Sequence, residues 1–396
     1  MEQPNVVVVD GPGVLVEPEA RDQLARVAGR PGCVRAVGMP DLHPGPGIPI
    51  GAVVALRSVD PALVGGDAGC GVRMVVHDRV KASGDALERR VLEGTSGPAL
   101  PDVDLGAALD AIWRQGPSGL ARISSVPDDL AEAAAEIPPD PPVDRPVPEE
   151  MRVLADALGT IGGGNHFLEL SKVGAIVDRE AADRLRIGRG SWVVLAHSGS
   201  RGLGRVLALR WPSVTPETAP AYLAELEGTV RFARANRLVI AHRMSRAAGM
   251  SRRVSAVLDL VHNTVVPGDV EGPAFVHRKG AAPAGRDELT VVLGSRGAPS
   301  WLMCGAGCDH TLCSVAHGAG RRITRGDAKG RIRSRYRRSE LGRTDLGSRV
   351  ICDEPDLLYE EHPDCYKPID GVIDAIESWG IARRVASLVP VVTVKR

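Results

Sequence analysis

The chain has 396 residues, enough for two or three cores of ordinary size, and its 43% apolar and 25% charged residues are those of a soluble globular protein. Lys plus Arg and Asp plus Glu balance at 49 each, so no global field draws in a polyanion and any site for one must be a local patch. Aromatic residues at 3% argue against recognition built on rows of stacking rings.

The opening MEQPNVVVVDGPG lacks the basic n-region of a signal peptide, and no apolar run approaches the roughly 18 residues of a membrane span. Seven cysteines, at 33, 70, 304, 308, 313, 352 and 365, are an odd number and too sparse for a disulfide-stapled secreted domain. A reducing, cytoplasmic setting is expected.

The apolar runs GAVVAL (51–56) and VRMVV (72–76) predict buried strands. Between them, GGDAGCGVR sets Asp67 and Cys70 three apart in a glycine-rich turn, where backbone can approach a ligand closely. Residues 118–150, rich in Pro, Asp and Glu, predict an exposed loop or linker. TIGGGNHFLEL places Asn165 and His166 after small residues, with Glu169 three further on. WVVLAHSGS predicts a strand that ends at His197 before a Gly/Ser loop.

From 216 to 262 the pattern is predominantly helical, with Pro216 near its start and His262 beside Asn263 at its end. TVVLGS (290–295) reads as another strand. In SVAHGAGRR, His317 sits among small residues, and nine Lys or Arg follow in the eighteen residues 321–338. YKPIDGVIDAIESWGIARRVASL predicts an amphipathic helix with Asp370 as a cap. No tandem repeat is visible. Composition and pattern together support a mixed α and β fold.

Taken singly, each of His166, His197 and His262 fits a core or surface histidine better than a ligand. With the Asp-x-x-Cys turn they form a set of imidazole, carboxylate and thiolate donors that suits a first-row divalent metal. A rival set, Cys304, Cys308, His310 and Cys313, has the right number of ligands for zinc. Four ligands within ten residues would strain a tetrahedral site, so plain reduced thiols are the preferred reading.

GMPDLHPGPGIPIGAVVAL, GGDAGCGVR, GTIGGGNHFLEL, HSGSRGLG, VHNTVV, VHRKGAA, GSRGAPSW, HGAGR, EEHPDCYK and the terminal VKR occur in this order from about residue 38 to the end. In them the chain resembles the RtcB family of RNA-splicing ligases, and ten ordered matches are far more specific than any one motif. The resemblance implies a single compact α/β (α+β) domain over 1–396, with central β-sheet layers and a deep metal-containing cleft. It implies two Mn2+ ions, one held by Asp67, Cys70 and His166, the other by Cys70, His197 and His262, with the Cys70 sulfur bridging. It makes His317 the nucleophile that attacks the α-phosphate of GTP to form a histidine–GMP adduct. Asp41, Asn165, Glu169, Ser295, Ser300, Ala319, Gly320, Tyr366 and Lys395 match positions that contact the guanylate. The implied partner is RNA with a 2′,3′-cyclic phosphate or 3′-phosphate end and a second end with a 5′-hydroxyl, with no membrane involved. Arg201, Arg278, Lys279, Arg321 and Arg325 would lie along the RNA.

The residues are suited to that chemistry. A neutral imidazole is a competent nucleophile near pH 7, and Gly318, Ala319 and Gly320 leave room for phosphates that backbone N–H groups can bind. The chain departs from the family at Arg296, where an apolar Met is usual, at Pro44, where an aromatic is common, and in the residues after HSGSRGLG. These departures point to a divergent branch such as the relatives coupled to a release-factor homologue, and to RNA repair as well as tRNA splicing. Two other functions stay open on residues alone: a catalytically weak RNA-end-binding protein, and a metal-dependent phosphodiesterase that opens cyclic phosphates without joining ends.

Overall fold

The computed structural model describes residues 5–78, 80, 83–250 and 254–396. Two sheets organise the chain. The first has β1 (Asn5–Val8), β2 (Cys33–His43) and β3 (Ile50–Leu56), joined later by β8 (Asn263–Asp269) and β9 (Pro273–Lys279) in the order β1-β2-β3-β9-β8. Only the β1–β2 pair in it is parallel.

The second sheet is antiparallel along its path β11-β12-β15-β5-β6-β4-β7. Its strands are β4 (Gly71–His77), β5 (Phe167–Ile176), β6 (Trp192–Ser198), β7 (Ala256–Val261), β11 (Leu289–Val292), β12 (Ser300–Gly305) and β15 (Ala382–Lys395). The end strands β11 and β7 come back into contact, so the sheet is nearly closed. A short strand β14 (Arg349–Cys352) runs parallel to β15, and β10 (Ala281–Pro283) pairs with β13 (Ser314–Ala316).

The two-residue period of a strand explains why near-continuous apolar runs form this sheet. Val72, Met74 and Val76 of β4 and Val193 and Leu195 of β6 face the inside of the curved sheet, with Val291, Leu302 and Val385. Their alternates Val75, Val194 and Ala196 face out, against Ile240, Ala241 and Met244 of the helix Ala219–Ala247. In the first sheet, Val37, Val53 and Ala55 meet the helix Ile369–Ser378, while Ala36, Ala52 and Val54 meet the helix Pro18–Ala28.

Three expectations are corrected. Residues 118–150 are not simply an exposed loop: they contain the helix Asp128–Ala135, and Leu120, Val126, Leu130, Ala134 and Val147 are buried against the long helix and Trp113. Apolar residues spaced among the acids give this segment a buried side. Helix does not continue through 216–262, because AVLDLV alternates and pairs with β4 as β7; residues 251–253 lie outside the described residues. The C-terminal helix stops at Ser378 and the chain continues as β15; its N-cap is Pro368, with Asp370 in the first turn. No helix among the described residues is long and apolar enough to cross a membrane.

Candidate active site

Strand ends deliver the functional side chains. His43 closes β2, His197 lies near the end of β6, His262 follows β7 and Lys395 ends β15. The Asp67–Cys70 turn leads into β4, whose neighbours on both sides are the strands bearing His197 and His262.

The predicted metal ligands converge. The ligand atoms of Asp67, Cys70 and His166 all lie within 4.8 Å of one another. Cys70 Sγ is 3.5 Å from His166 Nε2 and 3.4 Å from His197 Nε2. The His197 and His262 rings are 5.5 Å apart, and His262 and His317 are 5.3 Å apart. Gly199 makes room for the cluster: a Cβ there would meet Asp67 Oδ1 at 2.1 Å.

The electrostatics fit a divalent cation. Burial, and then the charge of Asp67, push the Cys70 thiol well above its usual range, so the apoprotein does not hold a thiolate. Burial holds His197 and His262 well below the usual imidazole range, which leaves them neutral and ligand-competent. Burial opposes ionisation of Asp67, but contact with His166 and hydrogen bonding outweigh it and bring its carboxyl to about 2. His262 is fully buried with no partner at either ring nitrogen. Packing leaves a buried imidazole with two unpartnered nitrogens unexplained, and either nitrogen is available to a ligand.

Beside this cluster lies a cavity of about 620 Å³, lined by His317 and by Asn165, Glu169, His197, Ser295, Ala319, Gly320, Arg321, Arg325, Tyr366 and Lys395 among the predicted residues. Asp41 stands behind it. Its Oδ2 is 2.7 Å from His317 Nδ1 and also accepts from Gly318 N. A carboxylate only accepts, so Nδ1 is the donor, and in the uncharged form of the ring the lone pair sits on Nε2. Gly320 has φ of 70°, and a Cβ there would meet the Asp41 carbonyl oxygen at 2.3 Å, so the turn after the histidine closes over Asp41 only with glycine.

Other predicted residues take different places. Ser300 Oγ accepts from Gly294 N at 3.0 Å and shapes the β11–β12 turn. Arg201 reaches His166 Nδ1 at 3.3 Å, and Arg201 and Lys279 both sense the Asp67 charge. Arg278 lies apart from the cavity lining, bonded to Ser314 Oγ. Cys304 and Cys308 join different core clusters, and no metal cluster forms from them among the described residues. All seven cysteines are free thiols.

Several residues of the site carry no signal in the sequence. Glu361 is buried and holds Arg321 at 2.8 Å and the Tyr366 hydroxyl, with Arg325 and Lys395 each at 3.6 Å. It lies inside EEHPDCYK, but nothing there marks it as the centre of a cation cluster. Arg237, fully buried on the long helix, donates to Gly69 O, Ser198 O and Asp259. That one guanidinium ties together the three segments that carry Cys70, His197 and His262. His43 and Phe167 also line the cavity.

An imidazole nitrogen at the wall of a cavity of about 620 Å³, next to a thiol–imidazole–carboxylate cluster whose donors suit a divalent metal, is the arrangement of a group-transfer site. The comparisons agree. The family model described as tRNA-splicing ligase RtcB matches residues 23–220 and 208–396. The chain is 36% identical to the RNA-splicing ligase RtcB2 of Escherichia coli, over 98% of this chain and 95% of that protein. It is 31% identical to the RNA-splicing ligase RtcB of Mycobacterium tuberculosis (94% and 100% covered) and 30% identical to the tRNA-splicing ligase RtcB of Archaeoglobus fulgidus (95% and 91%). The chain belongs to the RtcB family.

Proposed function

We propose that this protein is a GTP-dependent RNA ligase, the whole chain acting as one ligase domain, that joins a 3′-phosphate or 2′,3′-cyclic phosphate end to a 5′-hydroxyl end. The observation that carries the reading is the Asp41–His317 pair, which engages Nδ1 and leaves Nε2 free at the cavity wall. Nε2 attacks the α-phosphorus of GTP; the N–P bond forms as the bond to the β-phosphate oxygen breaks, and pyrophosphate leaves with that electron pair. Asp41 stabilises the imidazolium character that develops on the ring. The adduct then passes GMP to the RNA 3′-phosphate. Attack of the 5′-hydroxyl on that phosphate expels GMP and retains the original phosphorus in the new linkage.

Asp67, Cys70 and His166 would hold one manganese ion, and Cys70, His197 and His262 a second. Bound there, the metal supplies Lewis-acid charge to phosphate oxygens. Arg321, Arg325 and Lys395 surround the one carboxylate of Glu361, so this end of the cavity has positive charge to spare for a phosphorylated ligand. Asn165, Ser295, Ala319 and Gly320 line the space a guanylate would fill.

The test pairs two assays across several divalent metals. Incubation with α-labelled GTP should give a covalent label that His317→Ala abolishes, and a 3′-phosphate strand should be joined to a 5′-hydroxyl strand. A label without joined RNA would favour an incomplete ligase, and opened cyclic phosphate without label a phosphodiesterase. Neither label nor cleavage would leave only RNA-end binding.

A further inference from the structure

The stretch CGAGCDHTLC, residues 304–313, has no part in the ligase reading, yet its second half folds into a defined turn. Cys313 N donates to Cys308 O, and Leu312 N to Asp309 O, both at 3.0 Å. Leu312 is left-handed, with φ 54° and ψ 44°. This is the double bonding that closes a helical turn on a left-handed residue: the sixth N–H reaches the first carbonyl and the fifth reaches the second. The motif sets the first and sixth side chains against each other. Here those two side chains are the thiols of Cys308 and Cys313.

The backbone already meets the demands of a bridge. An N–H···O bond between two residues holds their Cα atoms about 5.5 Å apart, as across an antiparallel ladder, and a disulfide spans about 4.4–6.8 Å. Both cysteines are free thiols and only partly buried. The turn is braced from several sides. Arg35 Nη1, on β2, donates to Asp309 O at 2.8 Å, Thr311 Oγ1 to Cys308 O at 3.2 Å, and Ser314 Oγ to Leu312 O at 2.8 Å. Cys304 is set apart: it is buried in a different core cluster, with Arg184 Nη2 3.4 Å from its sulfur. Burial raises the Cys313 thiol, and so does Asp309, whose Oδ1 is 4.0 Å from the sulfur; Arg278 opposes them, and the Cys308 thiol adds to the rise.

We propose that Cys308 and Cys313 form a reversible disulfide, a thiol-modification site at the foot of β13, the strand that leads to His317. The co-reactant is a low-molecular-weight disulfide such as oxidised glutathione. The Cys308 thiolate attacks one of its sulfurs, and a mixed disulfide forms as one glutathione thiolate leaves. The Cys313 thiolate then attacks the Cys308 sulfur and expels the second glutathione. Two protein thiols are oxidised, one disulfide is reduced to two thiols, and the two protons pass to the glutathione sulfurs. The raised Cys313 thiol suits the second step, where attack is intramolecular and proximity makes up for a small thiolate fraction. A partly exposed bridge is of the labile kind that a reducing buffer reopens.

The test titrates the full-length protein in glutathione buffers of rising oxidised fraction, then quenches with acid and alkylates. Free thiols per chain, counted after denaturation, should fall from seven by the two that are bridged. Peptide mapping should find a single link, from 308 to 313, and dithiothreitol should restore all the thiols. Cys308→Ser and Cys313→Ser should each abolish the link, and Cys352→Ser, another partly buried thiol, should leave it intact. Glutathione adducts on both cysteines without a cross-link would overturn the proposal. So would a link from either to a different cysteine, or a full thiol count at every buffer ratio.

Discussion

The Asp41 carboxylate holds Nδ1 of His317 at 2.7 Å from a fully buried position, and the same residue's carbonyl oxygen takes Nδ1 of His43 at 2.8 Å. One residue therefore fixes the tautomer of two cavity histidines. Asp41→Asn tests the first contact. The amide can turn its NH2 toward Nδ1, which would move the ring proton to Nε2 and remove the nucleophilic lone pair. Labelling by GTP should fall by about a hundredfold or more, with an unfolding midpoint close to that of the unsubstituted protein. Full labelling in Asp41→Asn would show that the carboxylate is not needed.

Arg237 is predicted to act on the site without touching substrate. Its four hydrogen bonds join Gly69, Ser198 and Asp259, while Asp259 keeps a second cation in Arg73 at 3.3 Å. Arg237→Met strands two carbonyls and half of the Asp259 charge in the core. Stability should fall by about 3 kcal/mol or more, read from denaturant midpoints. Bound manganese, counted by elemental analysis after gel filtration, should fall as well. A variant that lost stability but kept its full metal content would confine Arg237 to packing.

Glu169 supplies a pH dependence of known sign. Burial raises its carboxyl from 4.5 to about 7, although Thr393, Ser171 and Lys395 pull the other way. Between pH 4.5 and 7 the folded protein keeps a proton that the unfolded chain has lost. Stability from this group is therefore full below pH 4.5 and falls as pH rises through 7, by about 3 kcal/mol at roughly 1.4 kcal/mol per unit. Glu169→Gln mimics the protonated form. Between pH 5 and 8 its unfolding free energy should lack that decline, and at pH 8 it should exceed that of the unsubstituted protein. Parallel pH profiles for the two would remove Glu169 as the cause.

What could be read in advance divides along physical lines. The strands 51–56, 72–76 and 192–198 were legible because apolar β-branched runs ended in Gly, Ser or His. The convergence of the candidate metal ligands was legible because thiol, imidazole and carboxylate have few other reasons to stand at strand ends. Residues 256–261 and 382–388 were misread as helix, because a short strand beside a long helical pattern looks like its continuation. Arg237 and Glu361 were beyond reach as site parts. What makes each of them matter is a partner contributed by residues far away in the chain, and spacing does not record that.

His262 should behave differently with and without metal. Both of its ring nitrogens are buried and unpaired, and an unsatisfied buried polar group costs about 1–3 kcal/mol. His262→Leu removes that cost, so in chelator the variant should unfold at a higher temperature than the unsubstituted protein. Adding Mn2+ should raise the midpoint of the unsubstituted protein and give the variant a smaller shift. A variant less stable in chelator, with an undiminished manganese response, would mean that His262 is a packing residue.

The basic run 321–338 is not uniform, and RNA binding should sort it. Lys329 and Arg333 are tied to Asp356, Arg321 to Glu361, and Arg322 to the Asp364 carbonyl oxygen. Arg331, Arg335 and Arg338 are exposed, with no acidic partner among the described residues. A cation already neutralised by a carboxylate releases few counterions from RNA, whereas a free one releases its share. Each substitution of Arg331, Arg335 or Arg338 by Gln should lower the slope of log affinity against log salt by about 0.7 for single-stranded RNA. Lys329→Gln should lower it less. Fluorescence anisotropy with a 3′-phosphate oligonucleotide over a salt series reads the slopes. Equal slopes for all four variants and the unsubstituted protein would place the RNA elsewhere on the surface.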